Sequence, residues 1–160
     1  MRIISGNFKG IKLYGPEDKN IRPLKDLVRE SIFNFLTHSN KLEFKLEQSK
    51  ILDLYSGTGS FGIECLSRQA NQVIFVEKDK QALQILEKNI QKIKSKNKTE
   101  IFFGDAFEII KNSKKKDFFI NSISKIDLVF CDPPFKDSNI NSLIGLIIEK
   151  NLLNQNGLIV

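Results

Sequence analysis

The sequence predicts an α/β protein built on a mostly parallel, doubly wound sheet, and three observations carry that prediction. From residue 50 onward, strand-like runs alternate with helical runs. The first strand passes into a glycine-rich turn, Ser56-Gly57-Thr58-Gly59-Ser60-Phe61-Gly62, which opens a helix. Acidic residues recur at the carboxyl ends of successive strands, at Asp53, Glu77, Asp105 and Asp132. Strands separated by helices pair in parallel, because the crossover needs a helix's worth of chain. Such a sheet takes its ligand outside the carboxyl ends of its strands, where the strand order reverses.

Taken in chain order, residues 1–49 form an N-terminal unit and 50–160 the main domain. Residues 2–14 alternate loosely around Gly6 and Gly10, which predicts a β-hairpin or bent ribbon. It carries Arg2, Lys9 and Lys12, with no acid before Glu17, and is a candidate RNA contact. Pro23 opens a helix reaching about Thr37. Its expected core stripe is Leu24, Val28, Ile32, Phe35 and Leu36. Asp26, Arg29 and Phe33 fall on another face, and the reading is that this helix lids a ligand. Residues 38–49 are a polar linker.

Strands follow near 50–55, 73–77, 99–103, 126–131 and 157–160. Helices are expected near 60–69, 79–95, 106–112 and 138–150. The lysines at 92–98 and 111–116 are expected to be solvated surface.

The glycine turn permits close approach of a ligand to the backbone. Glu77, at the end of the second strand, is placed to take ribose hydroxyls. Together these define a nucleoside cofactor without choosing between a dinucleotide and S-adenosylmethionine (AdoMet). Asp53 favours AdoMet, because its carboxylate suits an ammonium group and repels a pyrophosphate. Tyr55, Ser56 and Thr58 complete the turn. Asp105 can accept from an adenine amino group while Ala106 N–H donates to the ring, and Phe107 adjoins them.

The fourth strand ends in Cys131-Asp132-Pro133-Pro134-Phe135. Two prolines remove two N–H donors, so the loop presents carbonyl acceptors. Asp132 adds a carboxylate and Phe135 a stacking face, a set suited to a planar base with an exocyclic amino group.

Composition narrows the class. The chain has 160 residues, enough for one domain with a real core. No apolar run reaches the length of a membrane span, and a cytoplasmic protein is expected. One histidine, His38, argues against histidine triads and multi-histidine metal sites, so no metal is expected. Cys65 and Cys131 lack metal spacing and read as buried thiols. The net charge of +6 fits a polyanionic partner. Three of the four arginines, Arg2, Arg22 and Arg29, lie in the first 29 residues, where they suit phosphate or carboxylate.

The chain resembles the bacterial RsmD-type small-subunit rRNA guanine-N2 methyltransferases from end to end. The resemblance is carried by Met1-Arg2-Ile3-Ile4-Ser5-Gly6, by Arg22-Pro23 with Val28-Arg29-Glu30-Ser31-Ile32-Phe33-Asn34, by Leu52 through Gly59, and by Asp132-Pro133-Pro134-Phe135. It implies a Rossmann-like class I methyltransferase fold using AdoMet. Asp53 and the Gly57–Gly59 turn would hold the methionine end, Glu77 the ribose, and Asp105, Ala106 and Phe107 the adenine. Asp132, the Pro133 carbonyl and Phe135 would hold the target base, a guanine of 16S rRNA in an assembling small subunit. The family continues into an antiparallel strand pair, which is absent after Gly157-Leu158-Ile159-Val160, and a bare edge there would favour association. Rival readings are an amino-group methyltransferase acting on DNA adenine or another RNA, a non-catalytic RNA-binding assembly protein, and a nicotinamide oxidoreductase. The last leaves the Pro-Pro loop unexplained.

Overall fold

The computed structural model describes residues 1–15, 26–113, 122–123, 125–134 and 137–160. The main domain runs β1 (Lys50–Leu54), α2 (Ser60–Ser67), β2 (Gln72–Glu77), α3 (Lys80–Lys92), β3 (Thr99–Phe103), α4 (Ala106–Asn112), β4 (Ile126–Cys131), α5 (Ile140–Glu149) and β5 (Leu153–Ile159), with α1 (Asp26–His38) before it. The five strands pair in parallel in the order β3-β2-β1-β4-β5, which confirms the doubly wound α/β prediction. The order reverses between β1 and β4, which pair from Ile51↔Leu128 to Leu54↔Cys131. No antiparallel strand covers β5 among the described residues.

The period of two along each strand divides the core into two layers. Ile51, Val73, Phe75, Leu128 and Phe130 join α1, α2 and α3 on one face. Leu52, Leu54, Ile74, Val76 and Val129 join α4 and α5 on the other. The α2 helix is buried throughout. It approaches β2 so closely that a Cβ on Gly62 would lie 2.4 Å from the Phe75 ring. That contact explains the last glycine of the turn motif.

Two expectations are corrected. The buried face of α1 is Arg29, Phe33 and Leu36. Val28 and Phe35 are 44% and 58% exposed, so they do not form its core stripe. Arg29 can be buried because its Nη2 donates to Arg2 O at 2.6 Å and Asp26 Oδ1 at 2.9 Å, while Phe33 stacks on Phe61 with centroids 4.9 Å apart. Secondly, β5 begins at Leu153, which pairs with Ile126, rather than near residue 157. A bulge follows, held by Asn154 Nδ2 donating to Asp127 Oδ1, and the ladder resumes at Leu158.

The N-terminal hairpin is a bent ribbon with one antiparallel bridge, Arg2↔Lys12. Its hydrogen bonds are mostly to other elements. Glu64, a fully buried acid on α2, accepts from Ile4 N at 2.8 Å and Ser5 N at 2.9 Å. Ser67 O accepts from Asn7 N at 2.7 Å. Lys92 donates from Nζ to Lys12 O at 2.7 Å and lies over the Tyr14 ring, so this lysine is a structural contact as well as surface charge. Arg22, Pro23, Leu24 and Lys114–Lys116 lie outside the described residues.

Candidate active site at the strand ends

The reversal between β1 and β4 opens a crevice at the carboxyl ends of the sheet. Its floor is the glycine turn. Tyr55, Gly57 and Gly59 have φ of 57°, 55° and 83°, so the chain coils tightly before entering α2. A Cβ on Gly57 would project into open space, and the Ser56 hydroxyl is buried without a partner. Open room above a glycine beside an unpaired donor is what a cofactor lying on this turn requires.

Asp53 is 1% exposed and accepts from Gly62 N at 3.0 Å. Burial pushes its pKa up to about 8, with the charges of Glu77 and Asp132 adding to the rise against the Gly62 hydrogen bond. Asp53 therefore holds a proton near neutral pH and lies ready to ionise against a cation.

Glu77 is buried at the end of β2, with three backbone donors aimed at it. Gly57 N reaches Oε2 at 2.6 Å, and Lys78 N and Asp79 N reach Oε1 at 2.8 and 2.7 Å. A carboxylate offers about four acceptor positions, so most of its capacity is committed to backbone N–H groups, one of them in the glycine turn.

Asp105 caps α4, its Oδ1 accepting from Phe107 N at 3.0 Å and Glu108 N at 3.3 Å. Its Oδ2 accepts from Lys78 Nζ at 2.9 Å, and that hydrogen bond holds the carboxyl below its ordinary range. Ala106 is buried beneath it, and Phe107 is half-buried.

Across the crevice Asp132 is exposed at the end of β4, and burial of its surroundings raises its pKa. No hydrogen bond reaches its carboxylate among the described residues. The Pro134 carbonyl accepts from Asp137 N at 2.8 Å, while none of the described donors reaches the Pro133 carbonyl. Phe135 lies outside the described residues. Cys131 is half-buried, and burial pushes its thiol up to about 12. It has no activated character.

The structure thus gathers Asp53, Tyr55–Gly59, Glu77, Asp105–Phe107 and Asp132–Pro134 at one end of the sheet. Arg29 and Phe33 have their described contacts with the ribbon and α2, and Arg29 Nε and Nη1 are buried without partners. Arg2, Lys9 and Lys12 are exposed on the ribbon. Sequence reading missed Glu64, Asn89 and Asp137. Glu64 was signalled as a single acid in the apolar run Phe61–Leu66, and Asn89 as a polar residue on the core face of α3.

A five-stranded parallel sheet, a glycine turn at β1 and acids at successive strand ends define the class I methyltransferase fold. A family model described as Conserved hypothetical protein 95 matches residues 1–160, and the chain belongs to that family, the RsmD-type rRNA methyltransferases. It is 36% identical to a Haemophilus influenzae protein named ribosomal RNA small subunit methyltransferase D, over 99% of this chain and 76% of that one. It is 32% identical to the putative rRNA methyltransferase YlbH of Bacillus subtilis, over 100% of this chain and 80% of that one. A solved structure of the putative methyltransferase yhhF from Escherichia coli superposes with a TM-score of 0.81 at 30% identity, covering 99% of this chain and 78% of the other. No helix among the described residues is long and apolar enough to cross a membrane.

Proposed function

We propose that this protein is a cytoplasmic enzyme that methylates the exocyclic N2 of a guanine in 16S rRNA, within an assembling small subunit, using AdoMet. The observation that carries this reading is the pairing of a bare acceptor set, the Asp132 carboxylate and Pro133 carbonyl, with a nucleoside-binding turn across the β1–β4 seam. The relatives' names support an RNA substrate.

AdoMet supplies the methyl group as an electrophile on its sulfonium sulfur. The turn at Gly57–Gly59 would seat the methionine end, with the Asp53 carboxyl answering its ammonium. Glu77 would take a ribose hydroxyl at its remaining acceptor position, and Asp105, Ala106 and Phe107 would frame the adenine.

A guanine amino nitrogen is a poor nucleophile, because its lone pair is delocalised into the ring. Asp132 and the Pro133 carbonyl accept one N–H each and turn the lone pair toward the methyl. Much of the rate comes from that positioning. Transfer would place positive charge on that nitrogen, and the Asp132 carboxylate is positioned to stabilise it. The surplus proton of the methylated amino group would pass to solvent after transfer, so Asp132 need not remove it before attack. The base is flipped from its stack, and Phe135 supplies a replacement face.

The test is radiolabelled AdoMet with small-subunit particles lacking the modification, beside naked 16S rRNA and DNA, with Asp132→Ala as control. N2-methylguanosine in digested particle RNA, absent with the variant, is the expected result. Label in DNA adenine instead would overturn the substrate assignment.

A further inference from the structure

We infer that Asn89 is a positioning residue that couples the N-terminal ribbon to the glycine turn, so that cofactor and RNA strengthen each other's binding. The inference rests on the proposed reading of the site, with cofactor on the turn and RNA on the ribbon.

Asn89 lies on α3 and is fully buried. Its Oδ1 accepts from Tyr14 N at 2.8 Å, and its Nδ2 donates to Tyr14 O at 3.1 Å. This two-point contact pins the ribbon as a neighbouring strand would. The other Nδ2 hydrogen goes to Thr58 O at 3.0 Å, the carbonyl between the two glycines of the turn. One N–H and two carbonyls have fixed polarity, so only an amide in this orientation satisfies all three. Aspartate would set a carboxylate against two carbonyls.

Among the described residues, no other side chain bonds to both ribbon and turn. The other ribbon anchors do not reach the turn: Glu64 and Ser67 lie on α2, Arg29 on α1 and Lys92 at the end of α3. Arg2, Lys9 and Lys12, the ribbon's exposed cations, therefore share a rigid attachment with the loop that seats the cofactor. A ligand on the turn fixes the Thr58 carbonyl, Asn89 carries that constraint to Tyr14, and the ribbon is ordered for RNA in advance. Linkage is reciprocal, so RNA on the ribbon tightens the cofactor by the same factor.

The experiment is filter binding of 16S rRNA with and without saturating S-adenosylhomocysteine. The wild-type protein is expected to bind RNA about fivefold more tightly, or better, with the nucleoside present, the lower end of ordinary coupling. In Asn89→Ala the ratio should fall close to one. Glu64→Gln, which loosens the ribbon away from the turn, should weaken RNA binding and keep the ratio. A purely structural asparagine would lower both affinities and leave the ratio intact, and that result overturns the inference. Hydrogen exchange on the wild-type protein needs no variant: S-adenosylhomocysteine should slow exchange at the Tyr14 amide, and unchanged exchange also sinks the coupling. If the wild type binds both ligands independently, the coupling alone fails. If it binds neither, the proposed function fails and takes the coupling with it.

Discussion

The two walls of the crevice differ in how far their acids are already satisfied. On the wall formed by β1, β2 and β3, Asp53, Glu77 and Asp105 all accept backbone N–H groups before any ligand arrives. On the β4 wall, Asp132 meets no described donor, and the two prolines beside it have none to offer. The first wall is preorganised and holds its shape at no further entropic cost on binding. The second wall leaves its acceptors open, as the proposed base-binding role requires. This difference separates the affinity for cofactor from the rate of transfer, and substitutions on the two walls should divide along that line.

Asp132→Asn gives the largest effect. It replaces one acceptor oxygen by a donor and removes the charge opposite the developing cation. Transfer should fall by about 10²–10³-fold, as when one oriented electrostatic group is removed elsewhere. Calorimetric affinity for AdoMet should stay within about threefold, since the side chain lies off the cofactor wall and nearly all of its cost is catalytic. A comparable loss of cofactor affinity would break the comparison.

On the opposite wall, Glu77→Ala leaves three N–H donors facing one another and removes the ribose acceptor. Hydrogen bonds to charged groups contribute about 1.5–3 kcal/mol, so AdoMet affinity should weaken by about 10–100-fold. The rate at saturating AdoMet should change little. If kcat falls as far as affinity, the cofactor wall also shapes the transition state.

Asp53 sharpens the comparison through pH. An unfolded aspartate ionises near 4. Burial takes the folded one to about 8. Between those values the folded state holds the extra proton, so stability declines as pH rises from about 4 to about 8. Asp53→Asn should flatten that decline, read as the shift in urea midpoint between pH 5 and pH 8. Binding an ammonium ligand ionises the carboxyl, so at pH 7 AdoMet binding should release close to one proton from the wild type and none from Asp53→Asn. Calorimetry in buffers of different ionisation enthalpy counts that proton, and equal counts for both would remove Asp53 from the ammonium site.

The features legible in the sequence are the local ones. The glycine turn, the strand-end acids and the Pro-Pro loop each follow from a few adjacent residues, and the parallel sheet follows from their alternation. What stayed hidden depends on distant partners. Arg29 reads as part of a ligand-facing helix face until Arg2 O comes within 2.6 Å across the fold. Val28 and Phe35 read as core, yet Phe33 takes the aromatic stack on Phe61, itself stacked on Phe130. The start of β5 was obscured because three polar residues, Asn154–Asn156, follow Leu153, and their bulge rests on Asp127. No local pattern places Asn89 or Glu64 between the ribbon and the sheet, although a polar residue amid an apolar face marks each as unusual.

Tyr55 stands where the two walls meet, and it carries the smallest expected effect. It follows β1 with φ of 57°, a conformation that L side chains other than asparagine and aspartate seldom adopt. Its hydroxyl is buried and lacks a partner of good geometry. Burial pushes its pKa up, and the nearby Asp137 carboxylate pushes the same way. Asp137 is itself tied to the Pro133-Pro134 loop, its N–H donating to Pro134 O. A Tyr55 hydroxyl donating to Asp137 in the RNA-bound state would brace the β4 wall against the glycine turn. Tyr55→Phe removes a hydroxyl that has no well-formed hydrogen bond in the free protein, so stability should change by no more than about 0.5 kcal/mol. If the bond forms when RNA arrives, transfer should drop severalfold, about one neutral hydrogen bond's worth, and KM for RNA should rise while AdoMet affinity holds. Asp137→Asn should give the same loss, and the double variant no more than either alone. Additive losses would separate the two residues and leave the walls joined only through the β1–β4 ladder.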